Sequence, residues 1–429
     1  MGRVEKLVCT GCSLLCEDIN VVFDDKGKIN NIFSMCNVGF ERFKHLSLDN
    51  RLKSSAIRGE NKFTNISIDD AVERVAEMLK ASKKPLLYGW GYCSCEAIKL
   101  GLDIARKLKG VFDNQASKGY WYAYAQAEKY ESISNVLEKT LDYANHVIFL
   151  GFNPAETHPR HASRYSIFPR GVKVEKGVEG RSITVIDSEN TKTSRIAHNK
   201  FILEAEDELK LIKAISSMLK GEKLTTSISD VSETKLLELV RDFKNSSYIS
   251  IFYGSSFFEN KDYRLKVDTI YQLVEKIREV NVECTALPMP KPYNMLGAIK
   301  TTLKETGYPC AVDFSDEEKK HSPEEKSAIN MILNGEVDLA LIVGSNIFTE
   351  LSRPVRKKFM GIPVIVLDFI ESLTVKNSNL YVASAITGLE TGGTVYRADE
   401  KEVSLTPLFK PPENILSDED FLSKVCKKI

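Results

Sequence analysis

The sequence predicts an α/β chain: a small cysteine-rich N-terminal domain followed by two duplicated, doubly wound parallel-sheet domains. Three observations predict it. Strand-length apolar runs alternate with stretches of helical period, as in a parallel sheet with crossover helices. That alternation occurs twice in the same order, and a repeat of this length reads as two related domains. Four of the nine cysteines fall in the first tenth of the chain, ahead of both repeats.

Taken in order, Lys84–Trp90 is a short apolar run, followed by helical periodicity from about Ser94 to Lys109 and a second strand at Gly110–Asn114. His146–Gly151, Ser182–Asp187 and Lys200–Leu203 complete the first set. The second set opens with Tyr248–Gly254, a helix from about Asp262 to Glu279, and Val280–Leu287. Asp338–Gly344, Pro363–Asp368 and Leu380–Ala383 close it. The expected domains are therefore 1–60, 61–245 and 246–385, with a C-terminal extension over 386–429. Gly221–Glu233 is polar and Ser/Thr-rich, a linker or surface loop, and Asp316–Lys326 is a charge run expected to be solvated.

Lys+Arg and Asp+Glu are equal at 59 each, so no net field draws the chain to nucleic acid or an anionic membrane. No apolar stretch approaches the ~20 residues of a membrane span. The N-terminus carries no apolar secretory segment, and nine cysteines then point to a reducing cytoplasm. Cys93, Cys95, Cys284, Cys310 and Cys426 are scattered and expected to act as small buried hydrophobes.

Cys9, Cys12, Cys16 and Cys36 form Cys-x2-Cys-x3-Cys-x19-Cys. Three closely spaced thiolates with a fourth from a return loop suit a [4Fe–4S] cluster, which would make this a small N-terminal iron–sulfur domain. Zinc competes, although structural zinc sites usually pair two separated Cys-x2-Cys knuckles, and a vestigial set is the third reading.

Further candidates come from the repeat. Gly151-Phe152-Asn153 recurs as Gly344-Ser345-Asn346 at matching strand ends. The following strands end in Asp187 and Asp368, trailed by Thr191, Thr193 and Ser194 in one copy and by Ser372 and Thr374 in the other. Gly-x-Asn leaves room for phosphate beside backbone N–H groups, and the acids can accept hydrogen bonds from a ribose or a guanine edge. Singly, each is as readily a strand-end turn. As a pair they imply two nucleotide-tailed ligands facing each other across a shared cleft. His158, Arg160, His161 and Arg164 follow the first of these turns. They read either as a solvated basic loop or as a cationic patch for pyrophosphate, and the second is expected.

The N-terminal cysteine motif ahead of twin α/β domains resembles the molybdopterin oxidoreductase superfamily. Within it, the closest resemblance is to the B-type subunits of formylmethanofuran dehydrogenases. It is carried by Cys12–Ile19, Leu87–Ala97, Asp113–Ser117, Asn153–Arg164, Glu305–Ser315 and Gly388–Asp399. The resemblance implies a [4Fe–4S] cluster and tungsten or molybdenum held by two pyranopterin guanine dinucleotides. It implies a cytoplasmic oxidoreductase complex of one-carbon metabolism, in which CO2, reduced ferredoxin and methanofuran give formylmethanofuran by way of formate. The implied partners are amidohydrolase-like A, C and β-barrel D subunits together with ferredoxin-type iron–sulfur subunits, with no nucleic acid or membrane.

Two departures from the family pattern bear on the centre of that site. The family places a metal-ligating cysteine and then a histidine after Asn-x-Ala-Ser; Gly119 and Tyr120 stand there, and no cysteine or histidine lies between Cys95 and His146. The family's Arg-Gly-His before Tyr-Asn is replaced by Pro290-Lys291-Pro292. The residues left at these strand ends are Lys118, Tyr120 and Lys291. The expectation is a B-type subunit with a degenerate metal centre. The alternatives are a non-catalytic scaffold in a formyltransferase/hydrolase complex and an iron–sulfur electron-relay subunit.

Overall fold

The computed structural model describes residues 3–47, 50–60, 62–223, 227–229, 231–254, 256, 262–316 and 320–429. Parts of the expected polar linker (224–226, 230) and of the charge run (317–319) lie outside the described residues. An antiparallel meander opens the chain, with β1 (Val4–Leu7), β2 (Ile19–Phe23) and β3 (Ile29–Phe33). β4 (Ser55–Arg58) and β5 (Phe63–Ile66) follow as a hairpin. Next come β6 (Pro85–Gly89), β7 (Val111–Asn114), β8 (His146–Leu150), β9 (Ser182–Asp187) and β10 (Asn199–Ile202). The second half contributes β11 (Tyr248–Tyr253), β12 (Glu283–Pro288), β13 (Val312–Asp313), β14 (Lys320–His321), β15 (Leu339–Val343), β16 (Val364–Asp368) and β17 (Leu380–Ala383). A final hairpin joins β18 (Gly393–Tyr396) to β19 (Glu402–Leu405).

Two sheets organise these strands. One is all-parallel in the order β10-β9-β8-β11-β12. The other has a parallel centre, β7-β6-β15-β16-β17, extended by antiparallel β13-β14 at one edge and β4-β5 at the other. The all-parallel second sheet expected from the apolar runs is thus corrected to a mixed one. Its edge strand β5 is short and only partly buried, as suits a strand that faces solvent.

The parallel cores share one order, with β8 taking the place of β15 and β11 that of β6. Each sheet nevertheless draws on both halves of the chain. β6 and β7 pair with β15 rather than with β8, and β8 pairs with β11. The contiguous domains expected at 61–245 and 246–385 are therefore corrected to two interleaved ones. The boundary at 60 also shifts, because β4 pairs with β17. The segment 386–429 is no appendage: Phe421, Leu422 and Val425 of helix Asp418–Lys428 are buried in the core of the nine-stranded sheet.

Helices begin where the sequence supplies caps. Ser67, Ser94 and Ser417 accept from the backbone N–H groups of Asp70, Ala97 and Asp420, starting Ile68–Ala81, Cys95–Lys107 and Asp418–Lys428. β6, β8, β11, β15 and β16 are buried along their length, which is why they read as unbroken apolar runs. No helix among the described residues is long and apolar enough to cross a membrane.

Candidate functional site

The carboxyl ends of the two sheets open into two cavities of about 480 and 500 Å³. Order reverses between β8 and β11 and between β15 and β6, where open α/β sheets leave a crevice for ligands. Gly151, Asn153, Asp187 and Thr191 line one cavity, and Gly344, Ser345, Asn346 and Asp368 line the other. Tyr92 and Glu350 line both, so the two are halves of one cleft.

The two turns are built alike. Gly151 and Gly344 hold φ of +51° and +56°, a left-handed backbone that glycine adopts without strain. The Asn153 carboxamide oxygen accepts from Thr193 Oγ1 at 2.7 Å, and that hydroxyl accepts from Ala155 N at 3.2 Å. Asn346 repeats this with Thr374 Oγ1 at 2.9 Å, which accepts from Phe348 N at 3.1 Å. Thr193, rather than Thr191 or Ser194, is thus the counterpart of Thr374. Ser194 instead bonds back to the Thr191 carbonyl at 2.9 Å. The asparagine side chains are spent on shaping the turn. Ser345 Oγ is buried with no hydrogen-bond partner, an orphan that a polar ligand would satisfy.

Asp187 and Asp368 accept from the N–H groups of Ser188 (2.8 Å) and Phe369 (2.7 Å). Burial raises both carboxyls, Asp368 to about 6. Asp418, beside Asp368 in the same cavity, is pushed up to about 7 by burial. Arg42 enters this cavity from the helix after Cys36, lying over the Tyr293 and Phe369 rings and donating to the Thr387 carbonyl at 3.1 Å. Arg42, Tyr92, Glu350 and Asp418 escaped sequence reasoning; each meets the cleft only through the fold.

Gly119 and Tyr120 stand at the cleft centre, just beyond the end of β7. β7 ends in Asp113 and Asn114, whose side chains are spent on structure. Asp113 accepts from Ala311 N, Ala328 N and Ser117 Oγ at 2.9, 2.7 and 2.9 Å, and Asn114 donates to the Pro309 carbonyl at 3.1 Å. Gly119 follows with φ +117°, and buried Tyr120 starts the helix Tyr120–Lys129. Lys118, Tyr120 and Lys291 line the same cavity, and Lys118 is ion-paired with Glu350 where the two halves meet.

The basic motif after the first turn departs from expectation. His158 and His161 are fully buried and held neutral by burial, His158 at about 4 and His161 well below the usual range. His158 Nε2 lies 3.0 Å from Ser13 Oγ and 3.1 Å from the Pro290 carbonyl, bridging the cysteine loop to the Lys291 loop. His161 packs edge-on against Phe252. Arg160 bonds Asp18 in bidentate fashion at 2.5 Å twice, and Arg164 lies 3.4 Å from the same carboxylate. The expected pyrophosphate patch is therefore corrected. Only His158 touches the cavity, and both arginines turn to the cysteine loop.

In that loop Cys9, Cys12 and Cys16 are buried and Cys36 is half-buried. Cys9 N donates to Cys16 O at 2.9 Å, and Leu15 takes a φ of +41° to turn the chain. A Cβ on Gly39 would stand 2.7 Å from Cys9 Sγ, so that glycine keeps the space beside the thiol clear. Burial raises the Cys9 and Cys12 thiols, and the nearby Cys16 and Cys36 add to it in both cases. Among the described residues no three His, Cys, Asp or Glu side chains are drawn together tightly enough to hold a single metal ion. The C-terminal segment covers the loop: Ala398 N donates to Ser13 O at 3.0 Å and Thr10 Oγ1 to Thr387 O at 3.1 Å.

Interleaved α/β domains with paired nucleotide-type turns and a cysteine loop at the cleft define a class. The sequence matches the molybdopterin oxidoreductase family over residues 51–428, and the chain belongs to that family. It is similar to the B-type subunit of the tungsten-containing formylmethanofuran dehydrogenase 2 of Methanococcus maripaludis, 29% identical over all of this chain and 99% of that one. The protein of the same name from Methanocaldococcus jannaschii is also 29% identical, over 99% and 98% of the two chains. The fold is shared with a chain in the crystal structure of the formyltransferase/hydrolase complex (FhcABCD) from Methylorubrum extorquens in complex with methylofuran. The TM-score is 0.67 at 17% identity, covering 87% of this chain and 98% of that one.

Proposed function

We propose that this chain is the B-type subunit of a formylmethanofuran dehydrogenase complex, in which CO2, reduced ferredoxin and methanofuran give formylmethanofuran by way of formate. Its partners in this reading are amidohydrolase-like A, C and β-barrel D subunits and ferredoxin-type iron–sulfur subunits. The observation that carries it is the pair of matched turns meeting at Tyr92 and Glu350 with the cysteine loop pinned alongside by His158. Gly151, Asp187, Ser345 and Asp368 fit two pterin guanine dinucleotides. Cys9, Cys12, Cys16 and Cys36 fit a [4Fe–4S] cluster whose corners spread the thiols apart.

Such a cofactor supplies two-electron chemistry at its metal. The residues at the cleft centre do not fit a protein-ligated metal, because Gly119 offers no donor and Tyr120 is a buried phenol whose pKa burial raises. No step is therefore assigned to this chain's own centre. Loss of even one positioned electrostatic donor typically costs ~10²–10³ in rate, and here thiolate, imidazole and arginine are all missing.

One observation favours a second reading, a non-catalytic scaffold: the Lys118–Glu350 ion pair occupies the point where two pterins would meet. Metal and nucleotide analysis of the purified complex, with formate oxidation by a viologen dye, separates the two. Four irons and two guanine dinucleotides per chain with formate oxidation at least ~10²-fold below an intact centre are expected. Absence of both iron and pterin would establish the scaffold, and rapid formate oxidation would overturn the degenerate centre.

A further inference from the structure

Arg160 and Arg164 have no role in the cleft. Both rise from the short turn following Thr157 and point away from the cavity toward the cysteine loop. Asp18, two residues beyond Cys16, grips Arg160 through both guanidinium nitrogens at 2.5 Å and holds Arg164 at 3.4 Å. One carboxylate therefore serves two cations, and the cluster of three carries a net positive charge. Its arginines are only 16% and 22% exposed in their side chains, so solvent screens them weakly. Both guanidiniums lie beside Cys16. Arg164 Nη1, the atom that stands 3.4 Å from Asp18, is buried and completes no hydrogen bond.

Cys9 has Arg42, rather than Arg160 or Arg164, as its leading cationic neighbour. The two arginines thus stand on the Asp18 side of the cysteine loop, and His158 ties that loop to the first turn through Ser13.

We propose that Arg160 and Arg164 are positioning residues that set the reduction potential of the cluster held by the four cysteines, raising it through the Cys16 corner. The inference rests on the cluster reading above. Reduction adds one electron from a low-potential one-electron donor, breaks no bond and takes up no proton. The cluster and its thiolates gain one negative charge, which two fixed cations stabilise more than they stabilise the oxidised form. Lysine retains the charge but not the fork with which Arg160 grips Asp18.

The test is an EPR-monitored potentiometric titration of the reconstituted full-length chain, with titanium(III) citrate as reductant. Arg160→Gln and Arg164→Gln should each lower the midpoint potential and the double variant should lower it further. Arg160→Lys and Arg164→Lys should restore most of it. Iron content and the thermal midpoint are measured alongside, so that a variant that merely unfolds is recognised by lost iron, and the lysine variants then carry the comparison. A wild-type chain that binds no cluster would sink the cluster reading and this inference with it. A cluster whose potential is the same in the glutamine, lysine and wild-type proteins overturns this inference alone.

Discussion

At the scale of single residues the cleft centre is decided by backbone as much as by side chain. Gly119 sits at φ +117°, where an L side chain is strained by roughly 1–2 kcal/mol. Restoring the family cysteine alone, Gly119→Cys, should therefore lower stability by about that amount in urea denaturation. An unchanged midpoint would show that the turn relaxes. His158 is a second such residue, since a neutral buried imidazole bridges Ser13 and Pro290. His158→Ala should cost about 2–4 kcal/mol at neutral pH from lost hydrogen bonds and a cavity, and should speed iron release to a chelator. Burial depresses the folded pKa to about 4, so wild-type His158 is a stabilising group only while the unfolded imidazole is also neutral. As pH falls from 6.5 toward 4 the unfolded chain takes up the proton first, and the difference between wild type and His158→Ala should shrink.

At the scale of elements, each strand end meets a turn whose glycine and asparagine serve the backbone. Their recurrence in the two halves is what a repeat in the sequence means physically: one hydrogen-bond circuit, Asn to Thr to backbone N–H, written twice. The helix Asp418–Lys428 adds a different device. Its first residue is a fully desolvated carboxyl facing Asp368, Cys93, Ser384 and Arg42, raised to about 7. A carboxyl raised on folding is tolerated while protonated and destabilises once ionised. The unfolded group ionises near 4, so its penalty grows between about pH 4 and 7 and is complete above that. Asp418→Asn should gain stability over wild type across that window, by of the order of 2–4 kcal/mol at its upper end. Parallel thermal melts at about pH 4.5, 6 and 8 check the slope; a constant offset would rule out the ionisation.

At the scale of the molecule, the interleaving of the sheets makes the two sequence halves inseparable. β6 and β7 are completed by β15, and β8 by β11, so neither half owns a closed core. A chain cut at 245/246 should yield two fragments that are unfolded alone but assemble when co-expressed. Size-exclusion chromatography and circular dichroism of each fragment and of the mixture test this. A fragment that folds cooperatively by itself would contradict the strand pairing described here.

What the sequence determined by itself was local and periodic. Buried parallel strands read as apolar runs, the matched Gly-x-Asn turns stood at corresponding ends, and four cysteines announced a loop. That Gly119, Tyr120 and Lys291 stand near strand ends was equally legible, because a strand end fixes position along the chain. What only the tertiary structure decided was who faces whom. Strand partners depend on long-range pairing that a run of valines and leucines does not encode, so the domain boundaries moved. The basic motif changed its meaning for the same reason. Charge in sequence carries no direction, and only the fold could turn Arg160 and Arg164 from the nucleotide turn to Asp18 and Cys16, while burying the histidines between them as neutral struts.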